Sequence, residues 1–230
     1  MLPKLQKKTT FVPVMAKKDY IIDLIEEGEH QHLDFKFEIS DSKKIARTLS
    51  AFANTEGGRL LIGVKDNGNI AGIRSEEEYY MIEAAAEMYC RPKVPFEAKE
   101  WNVDGKMVLE VKVEPSPTKP HRSPNKDDEY KAYIRIADEN ILAPDILELA
   151  WTKITDLQGT HIMLSKPVER LLKYLDTNPH ISINQFRKIG RVNYYTAKNI
   201  LSDLLAIGTL GYKLIDKKIV YGMSLSRQEV

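Results

Sequence analysis

The hydrophobic positions of this chain recur with a helical period in some segments and with a strand period in others. Apolar residues three and four apart predict a helix over 17–27 and a second helix, capped by Ser40 or Asp41 and ending near Asn54, whereas alternation over 33–37 predicts a half-buried strand. The run from Leu60 to Val64 is almost wholly apolar, which is typical of a strand covered on both faces. The first part of the chain therefore predicts helices packed against a sheet.

Turn residues mark the ends of these elements. Gly28 and the Gly57-Gly58 pair follow predicted helices, where residues with positive φ are common. Asp66-Asn-Gly68 and Asp104-Gly105 predict tight turns, and the prolines of 115–124 predict a long irregular loop. The remaining predicted elements are a helix over 75–89, strands over 96–103, 106–113 and 131–137, and a helix over 145–151. We expect an α+β fold with a mixed sheet.

The last third of the chain predicts three helices followed by a hairpin. Pro167 stands at a favoured first helical position, Ser182-Ile-Asn-Gln185 is a capping box, and Asn193 caps the third helix. Two strands follow, over 210–215 and 218–221. This order of elements predicts a winged helix-turn-helix domain.

Charge is distributed unevenly, although the formal net charge is only +1. Residues 1–18 hold five Lys and no acid, and residues 167–230 hold ten Lys or Arg against five Asp or Glu. Basic outer parts favour a nucleic-acid partner, and solvated faces that happen to differ in sign are the alternative. The single Cys90 and the lack of a long apolar run predict a cytoplasmic protein without a membrane partner.

In a winged helix, the third helix enters the major groove of DNA and the hairpin approaches the phosphates. The predicted DNA-binding residues are therefore Arg191, Asn193, Tyr194, Tyr195, Lys198 and Asn199, with Lys213, Lys217 and Lys218 on the hairpin. Further phosphate contacts are expected from the proline loop, through Lys119, Arg122 and Lys126. The alternatives are a dimerisation surface for the helix and a plain connector for the loop.

Three motifs together carry a family resemblance. His32-Leu-Asp-Phe-Lys36, Asn54-Thr-Glu-Gly-Gly58 and Leu61-Ile-Gly-Val-Lys-Asp66 resemble the Schlafen-type AlbA domain, over roughly residues 19–154. The resemblance implies a small α+β domain associated with nucleic-acid binding.

In animal Schlafen relatives with RNase activity, three carboxylates are tied to metal-dependent cleavage, and the matching positions here are Glu29, Asp34 and Asp66. Asp34 stands where the family usually has Glu. Mg²⁺ or Mn²⁺ would be the cofactor of such a nuclease, and no cofactor is expected otherwise. A salt bridge for Asp34 and an ordinary turn for Asp66 are the alternatives.

Four segments follow from these patterns: a basic arm over 1–18, a Schlafen AlbA-like domain over 19–154, a linker over 155–166 and a winged helix-turn-helix domain over 167–230. The predicted function is a DNA-binding transcriptional regulator that uses the AlbA-like domain for nucleic-acid binding, sensing or assembly. DNA is the expected partner, RNA is a second option, and two-fold DNA readers are commonly homodimers. A metal-dependent nuclease and an oligomerising interaction protein are the two alternatives.

Overall fold

The computed structural model describes residues 16–154, 164–216 and 218–224, with side chains from residue 20 onward. Most of the predicted basic arm and linker therefore lies outside the described residues. In chain order the elements are α1 (Ala16–Glu27), β1 (Leu33–Lys36), α2 (Ser42–Asn54), β2 (Gly58–Ile62), α3 (Glu77–Met88), β3 (Glu97–Val103), β4 (Lys106–Val113), β5 (Arg122–Pro124), β6 (Tyr130–Ile136), β7 (Glu139–Leu142), α4 (Asp145–Ile154), α5 (Lys166–Leu175), α6 (Ile183–Gly190), α7 (Tyr194–Ala206), β8 (Leu210–Ile215) and β9 (Lys218–Met223).

Local sequence explains how several elements begin and end. The Asp41 carboxylate caps α2 by accepting a hydrogen bond of 2.8 Å from the Lys43 backbone N–H. Gly57 has a φ of +76°, and a Cβ there would lie 2.7 Å from the Val113 carbonyl oxygen. Gly58 is the first residue of β2, and its lack of a side chain makes room for the Phe52 ring. The prediction of positive φ thus holds for Gly57 and is wrong for Gly58.

The main sheet has the strand order β1-β2-β4-β3. The β1 and β2 strands are parallel, and the other neighbours are antiparallel, so the predicted mixed sheet is confirmed. One face packs on α2 and α3 through residues such as Leu60 and Val111. The other face packs on α1 through Leu61 and Val108. Alternate residues of β2 therefore serve two cores, which explains its continuous apolar run.

A second sheet of β5, β6 and β7 lies against α2. Ala132 and Ile134 on β6 form a separate core with Leu147 and Trp151 of α4. Neither β5 nor β7 is predicted from the sequence, and β5 falls at the end of the loop that the prolines mark as irregular. It pairs with β6 at Arg122–Pro124, so long-range pairing outweighs the local signal.

The C-terminal elements α5, α6, α7, β8 and β9 share one core, which includes Phe186, Leu201 and Tyr221. Ile146 of α4 belongs to the same core. Side chains at the start of α4 contact the start of α7, and those at its end contact the middle of α7, so the two helices pack side by side in parallel. The C-terminal unit therefore rests directly on α4. None of the helices in the described part of the chain is both long and apolar enough to cross a membrane.

Candidate nucleic-acid interface

The α6–turn–α7 segment is fixed by two caps and a tight turn. The Ser182 hydroxyl and the Gln185 side chain each accept a hydrogen bond from the other's backbone N–H, as the sequence predicts. The Asn193 Oδ1 caps α7 by accepting a bond of 2.8 Å from the Thr196 N–H. Arg191 takes the left-handed conformation at the end of α6, with a φ of +55°. These contacts set the direction in which α7 leaves α6.

The outward surface of this segment is cationic. Arg187, Lys188 and Arg191 are exposed, and so are Tyr195 and Asn199 on the first turns of α7. The Tyr195 side chain is 77% exposed. The sequence from 177 to 202 contains no Asp or Glu. No carboxylate from this stretch therefore offsets the three cations.

A shallow cavity of about 420 Å³ lies on the same surface, and its lining residues are Asn184, Arg187, Lys188 and Val192. The roles predicted from the winged-helix pattern did not include Arg187 and Lys188. The signal that could have found them is the carboxylate-free stretch, which holds four Lys or Arg. The net charge summed over residues 177–202 would have indicated that α6 as well as α7 is a candidate DNA-binding helix.

The flank of α7 that carries Tyr194 and Lys198 lies against α4. The Asp145 carboxylate accepts a hydrogen bond of 2.7 Å from the Lys198 Nζ and bonds of 3.0 and 3.1 Å from the Tyr194 hydroxyl. Burial raises the pKa of Asp145, but the bonds from Lys198 and Tyr194 outweigh burial and lower this pKa overall. Two of the predicted DNA-binding residues are therefore engaged within the protein.

The far end of the α4–α7 contact is held by a second cation. The Lys153 Nζ donates to the Ser202 hydroxyl at 2.7 Å and to the Asp203 carboxylate at 2.6 Å. It also donates to the Asn199 backbone carbonyl at 3.3 Å. This bond does not use the Asn199 side chain, which is exposed. Ion pairs at both ends therefore fix which face of α7 is available.

The β8–β9 hairpin has one buried and one outward face. Tyr212 and Ile219 share one face and pack against both the C-terminal core and the core between β6 and α4. Burial, reinforced by the Glu56 charge, raises the pKa of Tyr212 to about 12. Lys213 and Lys218 lie on the opposite face and are exposed. Lys217 lies outside the described residues. The two described lysines could therefore meet a phosphate backbone.

Two of the three loop cations predicted to contact phosphates have partners within the protein. Lys119 is half-buried and donates to the Thr55 carbonyl at 3.1 Å, and burial lowers its pKa. Arg122 lies on β5 and pairs with Glu148 at 2.6 Å. Lys126 is exposed in the turn between β5 and β6. Lys126 is therefore the one of these three cations for which the described residues show no partner.

Two of the three candidate catalytic carboxylates lie together. Asp34 is 4% exposed, and its carboxylate oxygens lie 3.2 Å from the Arg135 Nη2 and 3.1 Å from the Lys36 Nζ. The Glu29 Oε1 accepts a bond of 2.9 Å from the Phe35 N–H. Burial and the neighbouring Asp34 carboxyl raise the pKa of Glu29. Two protein cations therefore already contact the Asp34 carboxylate.

The third carboxylate, Asp66, is exposed in the turn that follows β2. Within residues 16–154, 164–216 and 218–224, no three His, Cys, Asp or Glu side chains form a group that could hold a metal ion. Among the described residues, Asp66 therefore does not join Glu29 and Asp34 in one carboxylate group. A divalent cation would also compete with Arg135 and Lys36 for Asp34, so these residues do not fit the metal centre that the resemblance implies.

These features define an α+β protein with a mixed sheet and a cationic C-terminal unit. The sequence model of the Schlafen AlbA_2 family matches residues 29–144, and the chain belongs to that family. The match covers β1 to β7 together with α2 and α3, whereas α1 precedes it and α4 and the C-terminal unit follow it. No curated protein matches the chain.

Two solved structures are similar to this chain. DIP2311 from Corynebacterium diphtheriae is 18% identical with a TM-score of 0.43, and the alignment covers 70% of this chain and 33% of that chain. The N-terminal domain of a RecG-related protein from Nitrosomonas europaea is 20% identical with a TM-score of 0.34, and the alignment covers 51% of this chain and 82% of that chain. The chain therefore spans about a third of DIP2311.

Proposed function

We propose that this protein binds double-stranded DNA through the exposed face of α6 and α7 and acts as a transcriptional regulator. The observation that carries the proposal is the exposure of Arg187, Lys188 and Arg191 on a segment without carboxylates. Each cation that neutralises a DNA phosphate releases condensed counterions, which favours binding. Three such cations next to an exposed aromatic ring match a DNA partner better than an acidic protein patch.

The local geometry supports a helix-turn-helix. A short turn over 191–193 joins α6 to α7, and helix-turn-helix motifs use turns of this length. Tyr195 and Asn199 lie one helical turn apart on the exposed side, so both would face the groove if α7 entered it. The Asn199 amide can form paired hydrogen bonds with adenine. We assign these two residues to the bases and the three cations to the phosphates.

The β8–β9 hairpin acts as the wing in this proposal. Its outward lysines, Lys213 and Lys218, would contact phosphates beside the groove that α7 occupies. Its buried face is anchored by Tyr212 and Ile219 on the family domain. The wing and α7 are thus held by the same scaffold, and the family domain positions the DNA-binding surface in addition to any sensing or assembly role.

The test measures binding of the full chain to labelled DNA duplexes of mixed sequence. Fluorescence anisotropy reports the affinity at salt concentrations from 50 to 300 mM. We expect steep salt dependence, with the slope of log K against log salt reduced by about 0.9 in Arg191→Ala and again in Lys188→Ala. Lys173→Ala, which removes an exposed cation from α5, is the matched control and should leave the slope unchanged. An absent complex, or equal slopes in all variants, would refute DNA binding by this surface.

The regulatory part of the proposal needs a separate experiment. Genomic fragments retained by the full chain should share a recoverable sequence motif, and Asn199→Ala should weaken that preference more than it weakens total binding. Fragments without a common motif would contradict sequence-specific regulation while leaving DNA binding intact.

A further inference from the structure

The outer face of α3 carries large apolar side chains that are exposed. Tyr80 is 59% exposed and Met88 is 67% exposed, and the half-buried Ala84 lies between them. These three residues are spaced four apart, so they form one stripe along the helix. Single exposed apolar residues are ordinary on a protein surface, whereas a continuous apolar stripe marks a surface that another segment covers.

Carboxylates line this apolar stripe. Residues 76–88 contain five Glu and no Lys or Arg. Glu78 is buried and accepts hydrogen bonds from the backbone just before α3, so its charge is used within the protein. Lys93 pairs with Glu87 at 3.0 Å, which still leaves the face with an excess of negative charge. The exposed carboxylates are Glu76, Glu77, Glu83 and Glu87.

The N-terminal segment of the chain has the complementary composition. Residues 1–15, which lie outside the described residues, contain three Lys and no Asp or Glu. They also contain seven Met, Leu, Phe or Val residues. The segment therefore offers apolar side chains for the stripe and cations for the carboxylates beside it. A nucleic acid or an acidic peptide would be repelled by the same face.

The segment is also long enough to reach α3, although α1 and α3 lie on opposite faces of the main sheet. The rings of Tyr20 on α1 and Trp101 on β3 are 4.9 Å apart. Trp101 follows Phe96 by five residues, and the Phe96 ring is 6.3 Å from the Tyr79 ring on α3. The path from the start of α1 around the edge strand β3 to α3 is therefore roughly 35 Å. A chain of 15 extended residues spans up to about 50 Å.

We propose that residues 1–15 dock on the outer face of α3 within the same molecule. Apolar side chains of the segment cover the stripe from Tyr80 to Met88, and its lysines lie against the flanking carboxylates. Burial of apolar surface provides the attraction, and charge complementarity selects this segment and its position. Because the segment and α3 belong to one chain, a weak contact is sufficient to keep them together. The contact is separate from the DNA-binding surface of α6 and α7 and does not depend on it.

The first experiment treats the full chain with a carbodiimide, which joins a lysine amine to a carboxylate that it contacts. An equal mixture of ordinary and isotope-labelled chains shows whether each link lies within one molecule. Links within one isotope form support the proposal, and links between the two forms would show that a second copy supplies the segment and would overturn it. Lysines of the segment joined only to other carboxylates, or to none, would contradict it as well. Mass spectrometry should find Lys4, Lys7 or Lys8 joined to Glu76, Glu77, Glu83 or Glu87.

The second experiment measures protection of the segment by limited trypsin digestion of the full chain. Tyr80→Ser should raise the rate of cleavage after Lys7 and Lys8 by about tenfold, because it removes the aromatic anchor of the contact. Glu83→Gln should raise this rate by about threefold, because it removes one attractive charge.

Glu139→Gln is the matched control for the charge change, because Glu139 is an exposed carboxylate on β7. It should leave the cleavage rate within about twofold of the wild-type rate. Tyr80 and Glu83 are both exposed, so the two α3 variants should give the circular dichroism spectrum of the wild type. Equal cleavage rates in the wild type and in both α3 variants would show that residues 1–15 do not dock on α3.

Discussion

The contact between Asp145 and Lys198 makes a specific prediction for DNA binding. Asp145→Asn removes the negative charge from the contact but keeps a side chain of similar size and hydrogen-bonding capacity. In the wild type the carboxylate holds the Lys198 Nζ at 2.7 Å, on the flank of the proposed recognition helix. The substitution should release Lys198 to a DNA phosphate. We therefore expect tighter and more salt-dependent binding.

The magnitude follows from counterion release. One added phosphate contact steepens the slope of log K against log salt by about 0.9, which gives about eightfold tighter binding at 0.1 M salt and about 3.5-fold greater loss between 50 and 200 mM. The Asp145 and Lys198 side chains are 52% and 24% exposed, so losing their ion pair should cost only about 0.2–1 kcal/mol of folding free energy. The variant should remain folded.

The assay is a salt series of anisotropy titrations with the full chain. Asp203→Asn is the control, because it breaks the Lys153 ion pair at the other end of the same helix contact. It should change the slope by much less than Asp145→Asn does. The Asp145 pKa lies below its ordinary value of 3.8, so the carboxylate is charged near neutral pH. The stabilisation from its contact with Lys198 is lost only as the pH falls through this lowered pKa. Wild-type and Asp145→Asn curves that coincide at every salt concentration would refute the reasoning.

Three further predictions concern the fold and the carboxylate pair. Arg135→Met should destabilise the protein by about 3–5 kcal/mol in urea unfolding, because Asp34 would be left buried without its guanidinium; a loss below about 1 kcal/mol would contradict this role. Burial raises the pKa of Cys90 to about 12, so a disulfide reagent at pH 8 should modify this thiol only after denaturation, and rapid native labelling would show that the site is open. Labelled RNA and DNA should stay intact with Mn²⁺, because Arg135 and Lys36 already form ion pairs with the Asp34 carboxylate. Cleavage that disappears in Asp34→Asn would restore the nuclease alternative.

Local signals in the sequence were sufficient for the elements that depend on neighbouring residues. The capping box at Ser182, the Asn193 cap and the Asp104-Gly105 hairpin all occur where the pattern places them. Each relies on hydrogen bonds or backbone angles within a few residues. The family motifs identified the central helix–turn–strand, from α2 to β2, for the same reason.

Contacts between distant segments were not visible in the pattern. Lys198 is a plausible DNA contact when α7 is considered alone, but Asp145, 53 residues earlier, pairs with it. Asp34 and Arg135 are separated by 101 residues, and their pairing determines whether Asp34 is free for a metal ion. Neither pairing leaves a periodicity in the chain, so only the folded arrangement of α4 and β6 reveals it.

Lysine footprinting tests most directly whether α6, α7 and the hairpin contact DNA. The full chain would be acetylated briefly with and without a saturating DNA duplex, and modification at each lysine measured by mass spectrometry. DNA should protect Lys188, Lys213 and Lys218, while Lys99 on β3 and Lys173 on α5 should react equally in both samples. Unchanged reactivity at Lys188 in the presence of bound DNA would contradict the central claim.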